Sequence, residues 1–408
     1  DKYVNKGPNK PYNNSLKRAK VLSALKDIDF VYINKSPTSI PVLKSLKPKF
    51  YFKGKDYIQK DLTGNLKNEK KELVRNNGKF IHTPTKMMSS SKIHNSYNFF
   101  KFDKEKIKFL KEISSNDPTG NIDMLMEKIS KLEINLIGEP IIDEYIYSDI
   151  AGLTSKDPAV SVLKKNKISI PGGTLAIALM LSKFTKKVNL FTYGSNITLK
   201  KFFKNEKNIN LINLSSNSKI QIKTRVINSN RFEKLIQITN ILSNQSLQHF
   251  KIKKVLENKK LKNLIVCDFG IDLFKEDVYD FIKNSKIKKY LNVQTNSLNY
   301  GKNLFTKYKN FEYLSLDQNE FALAFGKPKL DNDDILFIKK KYNNKPFSIT
   351  LGKKGSIFYS GNKKYYCPAL IEQTQDTTGC GDAYFSITTL LRMINYSGKK
   401  INFIGNSY

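Results

Sequence analysis

Short apolar runs that are typical of buried strands alternate with helix-compatible segments from residue 133 onward. The strand-like runs are 134–137, 188–193, 264–267, 289–293, 313–316 and 347–350. Strands separated by helices predict a parallel α/β sheet, because parallel neighbours must be joined by a crossover. Several runs end in Gly, Asp or Asn, which suits a doubly wound sheet that binds ligands at the carboxyl ends of its strands. The polar, β-rich segment 219–239 predicts a small lid sheet.

The first hundred residues show a shorter alternation of the same kind. The predicted elements are helices at 15–25, 36–47 and 69–76, and strands at 30–33, 50–53 and 80–82. Residues 96–131 differ, because two charged, helix-compatible segments flank a loop cluster at 114–120. We therefore predict three parts, which are a first domain at 1–95, an interdomain connector at 96–132 and a second domain at 133–408.

Composition and charge exclude several classes of protein. No apolar run reaches the roughly 18–20 residues needed to cross a membrane. Three Cys without a Cys-x-x-Cys spacing argue against a disulfide framework or a zinc site, so we expect a reducing, cytoplasmic setting. The net charge of +35 could indicate nucleic-acid binding. We do not expect nucleic acid as the main partner, because the Lys residues are scattered and no nucleic-acid-binding motif is present.

The stretch Asp376-Thr377-Thr378-Gly379-Cys380-Gly381-Asp382 precedes an apolar, helix-compatible segment. Its two glycines permit a tight turn whose backbone N–H groups can bind an anion, and the following helix adds its positive end. Asp382 enters that helix where a carboxylate could accept a proton from a substrate hydroxyl. This arrangement is typical of phosphoryl transfer. The alternative is an ordinary helix start, with Gly for the turn and Asp as a cap.

These residues resemble the Asp-Thr-x-Gly-Ala-Gly-Asp signature of the PfkB/ribokinase family of sugar kinases, with Cys380 in place of Ala. The resemblance implies a ribokinase-like doubly wound α/β domain with a small β lid, and ATP and Mg²⁺ as cofactors. It also implies that Gly379, Cys380 and Gly381 form the anion hole and that Asp382 is the catalytic base.

Two further segments resemble the heptose-phosphate kinase branch of that family. They are 136–147 and 171–178, and in them Asp143, Gly172 and Gly173 match the sugar-binding pattern. Ala176 replaces an Asn that usually contacts the sugar, and Asn292-Val293-Gln294 and Ile271 also depart from the pattern. These departures point to a divergent acceptor sugar.

The nucleotide side of the resemblance lies in two turns. Thr350, Gly352 and Gly355 match the turn that frames ATP, although such a turn also occurs in ordinary hairpins. Glu320 matches the family's Glu that helps to organise Mg²⁺ through water, while Asp317 stands where the family has Asn.

Residues 1–95 resemble cytidylyltransferase-like nucleotidyltransferases, as found in bifunctional ADP-heptose synthesis enzymes. The residues that carry this resemblance are Asp1 to Pro8, Pro11-Tyr12, Arg18 to Leu25, Lys47 to Tyr57 and Ser89 to Lys92. It implies a partial Rossmann-like domain in which Ser89, Ser90 and Ser91 hold nucleotide phosphates, with Arg18 and Lys53 as candidate phosphate contacts. A helix cap is the alternative for the serines. The family's His-x-Gly-His motif is absent, so we expect a fragment truncated at both ends.

Three hypotheses follow. The first is a bifunctional enzyme that phosphorylates a heptose 7-phosphate-like sugar phosphate and transfers a nucleotide to a sugar 1-phosphate. The second is a PfkB-type kinase for another sugar or nucleoside beside a vestigial first domain, and the third is a non-catalytic binding protein. The expected partners are a sugar phosphate and a nucleotide, with a homodimer as a candidate assembly.

Overall fold

The computed structural model describes residues 13–54, 65–83, 104–116, 122–240, 242, 247–371 and 377–408. The chain forms two compact units, Asp1–Phe99 and Phe100–Tyr408. The helices within the predicted connector belong to the second unit. None of the helices in these described ranges is long and apolar enough to span a bilayer.

The first unit contains a β–α–β element. Its elements are α1 (Ser15–Ser23), α2 (Ile40–Leu46), β1 (Phe50–Lys53), α3 (Leu66–Arg75) and β2 (Lys79–His82). Strands β1 and β2 pair in parallel, and Leu43, Leu66 and Leu73 are buried around them. The buried Glu69 accepts hydrogen bonds from Ser39 N and Tyr51 Oη, and forms an ion pair with Lys53.

The strand predicted at 30–33 is wrong. These residues have no regular secondary structure, and the Phe30 side chain is 95% exposed. An apolar run can pair only where a neighbouring strand offers its backbone, and the described part of this unit offers none at this position.

The second unit is built on a large, mostly parallel sheet. Its helices are α4 (Lys104–Asn116), α5 (Ile122–Ser130), α6 (Thr174–Ser182), α7 (Asn196–Phe202), α8 (His249–Asn258), α9 (Glu276–Asn284), α10 (Gln318–Leu323), α11 (Asn332–Lys341), α12 (Cys380–Met393) and α13 (Gly398–Ser407). Its strands are β3 (Glu133–Gly138), β4 (Pro140–Leu153), β5 (Val160–Gly173), β6 (Lys187–Thr192), β7 (Ile209–Asn213), β8 (Gln221–Asn228), β9 (Lys234–Thr239), β10 (Asn263–Asp268), β11 (Lys288–Val293), β12 (Tyr313–Asp317), β13 (Phe347–Thr350), β14 (Ser356–Ser360) and β15 (Lys363–Cys367).

Among the described residues, nine of these strands form one sheet in the order β15-β14-β13-β12-β11-β10-β3-β6-β7. Seven neighbouring strands run parallel, in the order β13-β12-β11-β10-β3-β6-β7, and β14 and β15 add an antiparallel edge. Strand order reverses direction beside β3, so the sheet has the switch point at which doubly wound folds bind ligands. The predicted α/β architecture is therefore present.

Both faces of this sheet are buried. Along β10, Leu264 and Val266 pack with α8 and α9 on one side, while Ile265 and Cys267 pack with α6 and α12 on the other. A strand covered on both faces reads as a continuous apolar run, which is why the central strands could be located from the sequence.

The lid is a separate four-stranded sheet in the order β5-β4-β8-β9. The predicted segment 219–239 supplies β8 and β9, but the long antiparallel hairpin of β4 and β5 was not predicted. Almost every residue of β5 before Pro171 is exposed, so the hairpin lacks the alternation of apolar and polar residues that identifies a half-buried strand.

Candidate active site

A cavity of about 250 Å³ opens at the carboxyl ends of β11, β12 and β13, against the start of α12. Its lining includes Thr350, Glu320, Gly379, Gly381 and Asp382, which were predicted from separate segments of the sequence. The parallel strands end on one edge of the sheet, and this topology brings the residues together.

Helix α12 begins directly below the cavity. Gly379 adopts the left-handed conformation with φ 83°, and the first helical hydrogen bond runs from Ala383 N to Gly379 O. A Cβ atom built on Gly379 or Gly381 would meet no atom within 4 Å, so both glycines border open space. The first turn of a helix presents backbone N–H groups that have no intrahelical partner. This end of α12 can therefore bind an anion.

The predicted base, Asp382, lies half-buried in the first turn of α12. Its Oδ1 accepts a hydrogen bond from Gln294 Nε2 at 2.7 Å. Burial raises the pKa of Asp382 to about 6; the Gln294 hydrogen bond and Lys223 oppose that rise, and Asp143 adds to it. A carboxyl group with such a pKa is ionised at neutral pH and can still take up a proton, as a general base must.

Asp143 lies within lid strand β4. Its carboxylate forms an ion pair with Arg225 Nη1 at 2.6 Å, and both side chains are nearly buried. A Cβ atom on Gly172 would clash with Asp143 Oδ2, so glycine is required there for this carboxylate position. Gly173, with φ 54°, caps α6. Asp143, Gly172 and Gly173 thus form one corner of the lid.

Two cations of β8 lie beside this corner. Lys223 pairs with Asp143 in the strand register and Arg225 pairs with Tyr145, so the two cations share one face. Burial lowers the pKa of Lys223, and Asp143 and Asp382 partly restore it. The Lys223 ammonium group makes no hydrogen bond or ion pair with a described residue. Both cations were missed from the sequence, although their spacing of two on a predicted strand was a usable signal.

Glu320 lies on α10 and lines the cavity. Its carboxylate accepts hydrogen bonds from Asp317 N and Thr295 N, and Asp317 in turn caps the helix through Asn319 N and Glu320 N. Asp and Asn serve equally well as N-caps, which explains why Asp317 is tolerated where Asn was expected. Burial and the Asp317 charge raise the pKa of Glu320 to about 8.

The described part of the chain contains no cluster of three or more His, Cys, Asp or Glu side chains that could hold a metal ion. The pair of Glu320 and Asp317 fits Mg²⁺, which is usually held by one or two carboxylates together with substrate phosphates and water. Burial is the main cause of the raised pKa of Glu320, and the Asp317 charge adds to it; a nearby cation would favour the ionised form.

Gly352, Gly355 and Cys380 are not among the residues that line the cavity. Gly352 is in the 3₁₀ turn Gly352–Lys354, and Gly355 has φ 95° at the start of β14. A Cβ atom on Gly355 would clash with Cys367 O, so this glycine is required by the turn itself. Cys380 is exposed at the first position of α12. Ser89, Ser90, Ser91 and Asp376 lie outside the described residues.

The two phosphate contacts predicted in the first unit have partners within that unit. Lys53 is paired with Glu69 at 3.2 Å, and Arg18 Nη1 donates to Asn13 O at 2.6 Å. They remain predictions.

The sequence is similar to a family of carbohydrate kinases and to bacterial proteins named HldE. The sequence pattern described as pfkB family carbohydrate kinase matches residues 137–391. The chain is 21% identical over 268 residues to the bifunctional protein HldE of Koribacter versatilis, covering 63% of this chain and 54% of that protein. It is 42% identical over 59 residues to HldE of Campylobacter fetus, covering 14% of this chain and 13% of that protein. The longest of these matches thus spans about half of the relative.

Solved structures resemble the second unit. Phosphofructokinase-2 from Escherichia coli in complex with fructose-6-phosphate superposes with a TM-score of 0.54 at 14% identity, covering 68% of this chain and 92% of that chain. Ribokinase from Thermotoga maritima superposes with a TM-score of 0.53 at 16% identity, covering 68% and 91%. These likenesses confirm the predicted ribokinase-like α/β fold.

Proposed function

Because the chain belongs to the pfkB family of carbohydrate kinases, we propose that it transfers the γ-phosphate of ATP to a hydroxyl group of a sugar phosphate, with Asp382 as the general base. One observation carries this proposal. The Asp382 carboxylate and the glycine-lined start of α12 share one cavity with Thr350 and Glu320. A proton acceptor and an anion site are thereby within reach of the same reacting atoms.

The chemistry needs little from the protein beyond position and charge. The acceptor oxygen attacks the γ-phosphorus while Asp382 accepts the hydroxyl proton. The bond from the γ-phosphorus to the bridging oxygen breaks, and ADP leaves. Backbone N–H groups at the start of α12 offset the charge of the transferred group. Glu320 and Asp317 would hold Mg²⁺, which supplies positive charge to the nucleotide phosphates.

The lid supports an anionic acceptor. Arg225 neutralises Asp143, so Lys223 is left as a cation beside Asp382 without a hydrogen-bond partner among the described residues. A half-buried ammonium group gains most from a ligand that brings a negative charge and hydrogen-bond acceptors. A sugar phosphate supplies both, and a neutral sugar supplies only hydroxyl groups.

The proposed acceptor is a heptose 7-phosphate-like sugar, and the proposed second activity is nucleotidyl transfer from ATP to a sugar 1-phosphate. In that second reaction a phosphate oxygen attacks the α-phosphorus and pyrophosphate leaves. The relatives named bifunctional protein HldE support this reading, together with the parallel β–α–β element of the first unit. Ser89, Ser90 and Ser91 are the proposed phosphate-binding residues of the second activity.

A second candidate is a kinase for a different sugar or nucleoside. Ala176 and Gln294 depart from the heptose pattern on the acceptor side, and Gln294 contacts the proposed base directly. A changed acceptor would require changes at these positions.

An acceptor panel tests the kinase proposal. ADP release is measured with MgATP and heptose 7-phosphate, fructose 6-phosphate, ribose, adenosine or no acceptor. We expect the highest kcat/KM with heptose 7-phosphate and little turnover of uncharged acceptors. A higher kcat/KM for ribose or adenosine would favour the second candidate, and no ADP release with any acceptor would contradict both.

The second activity requires its own assay. Pyrophosphate release is measured with the full-length protein, ATP and a sugar 1-phosphate, with Ser89→Ala as the matched variant. Pyrophosphate formation that the variant weakens would support the assignment. No pyrophosphate formation would show that the first unit does not have this activity.

A further inference from the structure

We propose that Gln294 is a positioning residue for Asp382, whose side-chain amide occupies one carboxylate oxygen and leaves the other to receive the acceptor's proton. This inference rests on the proposed function, because it concerns the base of that reaction. It also assigns a role to a residue that departs from the sequence pattern of the heptose-phosphate kinases.

The contact is direct. Gln294 follows the last residue of β11, and its Nε2 donates to Asp382 Oδ1 at 2.7 Å. A carboxylate can only accept, so the amide nitrogen is the end of Gln294 that must face it. Among the described residues, Gln294 is the side chain that donates a hydrogen bond to Asp382. The second oxygen, Oδ2, has no such donor.

Gln294 is itself held from two sides. Its backbone N–H donates to Asp268 O at 2.8 Å, and its backbone carbonyl oxygen accepts from Asn303 Nδ2 at 3.0 Å. Asn303 is 6% exposed and also donates to Asp268 Oδ1. Lys307 Nζ donates to Asn303 Oδ1 at 2.6 Å. A backbone fixed in this way gives the Gln294 amide a defined position, which a surface glutamine would lack.

Other groups around Asp382 cannot replace this contact. Three acidic groups interact electrostatically with Asp382, which are Asp143 of β4, Cys267 of β10 and Glu320 of α10. Lys223 of β8 interacts with it as a cation. Arg225 is engaged by Asp143. Lys223 acts on Asp382 through charge and makes no hydrogen bond to it, so it does not set the orientation of the carboxylate. Gln294 lowers the pKa of Asp382 against the effect of burial and also fixes the carboxyl group in space.

Three substitutions separate these effects. Gln294→Met keeps the length and removes the donor, Gln294→Glu keeps the shape and adds a negative charge, and Gln294→Lys retains a donor with a positive charge. The kcat of each is measured from pH 5 to pH 9 with saturating MgATP and the best acceptor of the panel. A hydrogen bond to the ionised form lowers a carboxyl pKa. The pKa of the acidic limb of the kcat profile is therefore expected to be lowest for Gln294→Lys and to increase through the wild type and Gln294→Met to Gln294→Glu.

For Gln294→Met we expect the pKa of the acidic limb to move up by about one pH unit, so that kcat falls roughly fivefold near pH 6 and recovers partly by pH 9. The KM for ATP should change less than about twofold. A loss that is equal at every pH, or a profile identical to wild type, would overturn the inference. Circular dichroism confirms folding, and Gln294→Glu provides a second variant if Met perturbs the fold.

The test also distinguishes this inference from the proposed function. If the wild-type protein releases ADP and Asp382→Asn does not, the function stands whatever the Gln294 variants show. If no acceptor is turned over, ¹³C NMR of the carboxyl groups, compared with Asp382→Asn, still gives the pKa of Asp382 in each variant. The same order of pKa values would support the contact, and equal values would refute it.

Discussion

Replacing Asp382 by Asn is expected to make the protein inactive and, at alkaline pH, more stable. Asn has almost the same shape, but it cannot accept the acceptor's proton. Loss of a positioned base typically costs about 10²–10⁴-fold in turnover. The gain in stability follows from the pKa of Asp382, which burial raises to about 6.

The sign follows from proton binding in the two states. The native carboxyl group binds its proton more tightly than the unfolded one, whose pKa is 3.8. The unfolded state is therefore favoured as the pH rises from about 4 to about 6. The full difference corresponds to about 3 kcal/mol. Solvent in the open cavity screens part of it, so we expect a gain of about 1–2 kcal/mol for Asp382→Asn at pH 8.

Urea unfolding followed by circular dichroism measures this gain at pH 8 and pH 4.5, beside an ADP-release assay. The gain should shrink to about a third at pH 4.5, where the wild-type carboxyl is protonated in the native state. Asp331→Asn is the matched control, because Lys327 lowers the pKa of Asp331 to about 2 and its neutralisation cannot stabilise the protein at pH 8. An equal gain for Asp382→Asn at both pH values, or a loss at pH 8, would refute the reasoning.

Three other perturbations test Lys223 in the lid, Cys380 at the start of α12 and the turn at Gly355. Lys223→Met should raise the KM for a phosphorylated acceptor about tenfold or more in steady-state kinetics, because a charge-assisted contact is lost. A change in the KM for ATP alone would contradict a contact between Lys223 and the acceptor. N-ethylmaleimide should inactivate the protein through the exposed Cys380, since Cys267 and Cys367 are buried. The variant Cys380→Ala should be active and resistant to the reagent. Equal inactivation of this variant would contradict the position of Cys380. Gly355→Ala should lower the free energy of unfolding by about 3 kcal/mol in urea, because φ 95° and the Cys367 carbonyl both oppose a side chain. The matched variant Gly361→Ala has open space around it and should lower that free energy by about 1 kcal/mol.

The parallel sheet and its ligand edge could be predicted because they depend on local patterns. Each central strand is buried on both faces, so its apolar run is visible without knowledge of its neighbours. The start of α12 was visible for a similar reason. Gly379 has φ 83°, a conformation that few other residues adopt, and Gly381 follows it in the first turn of α12.

The acceptor side of the site could not be predicted to the same depth, because it depends on contacts between distant segments. The hairpin of β4 and β5 is exposed along β5 and carries no clear periodicity. Lys223 and Arg225 acquire their roles only when β8 pairs with β4 and brings them to Asp143. Gln294 was noted only as a departure from a pattern, and its contact with Asp382 spans 88 residues of sequence.

Three carboxyl groups with raised pKa values lie at the same edge of the sheet, and their hydrogen bonds separate structural from catalytic roles. Burial raises the pKa of Glu139 to about 7, but its oxygens accept from the backbone N–H groups of residues 269, 271, 272 and 273. Glu139 therefore holds that loop, and because its side chain is fully buried a ligand does not reach it. Both oxygens of Glu320 also accept backbone hydrogen bonds, which suits a contact with a cation through water. Glu320 and Asp382 both line the cavity, but among the described residues the Asp382 carboxylate accepts only the Gln294 hydrogen bond, which leaves its second oxygen for a substrate; it is therefore the proton acceptor that we propose. This proposal rests on hydrogen bonds and on the lining of the cavity, and it names the same residue that the Gly-Cys-Gly-Asp sequence predicts as the base.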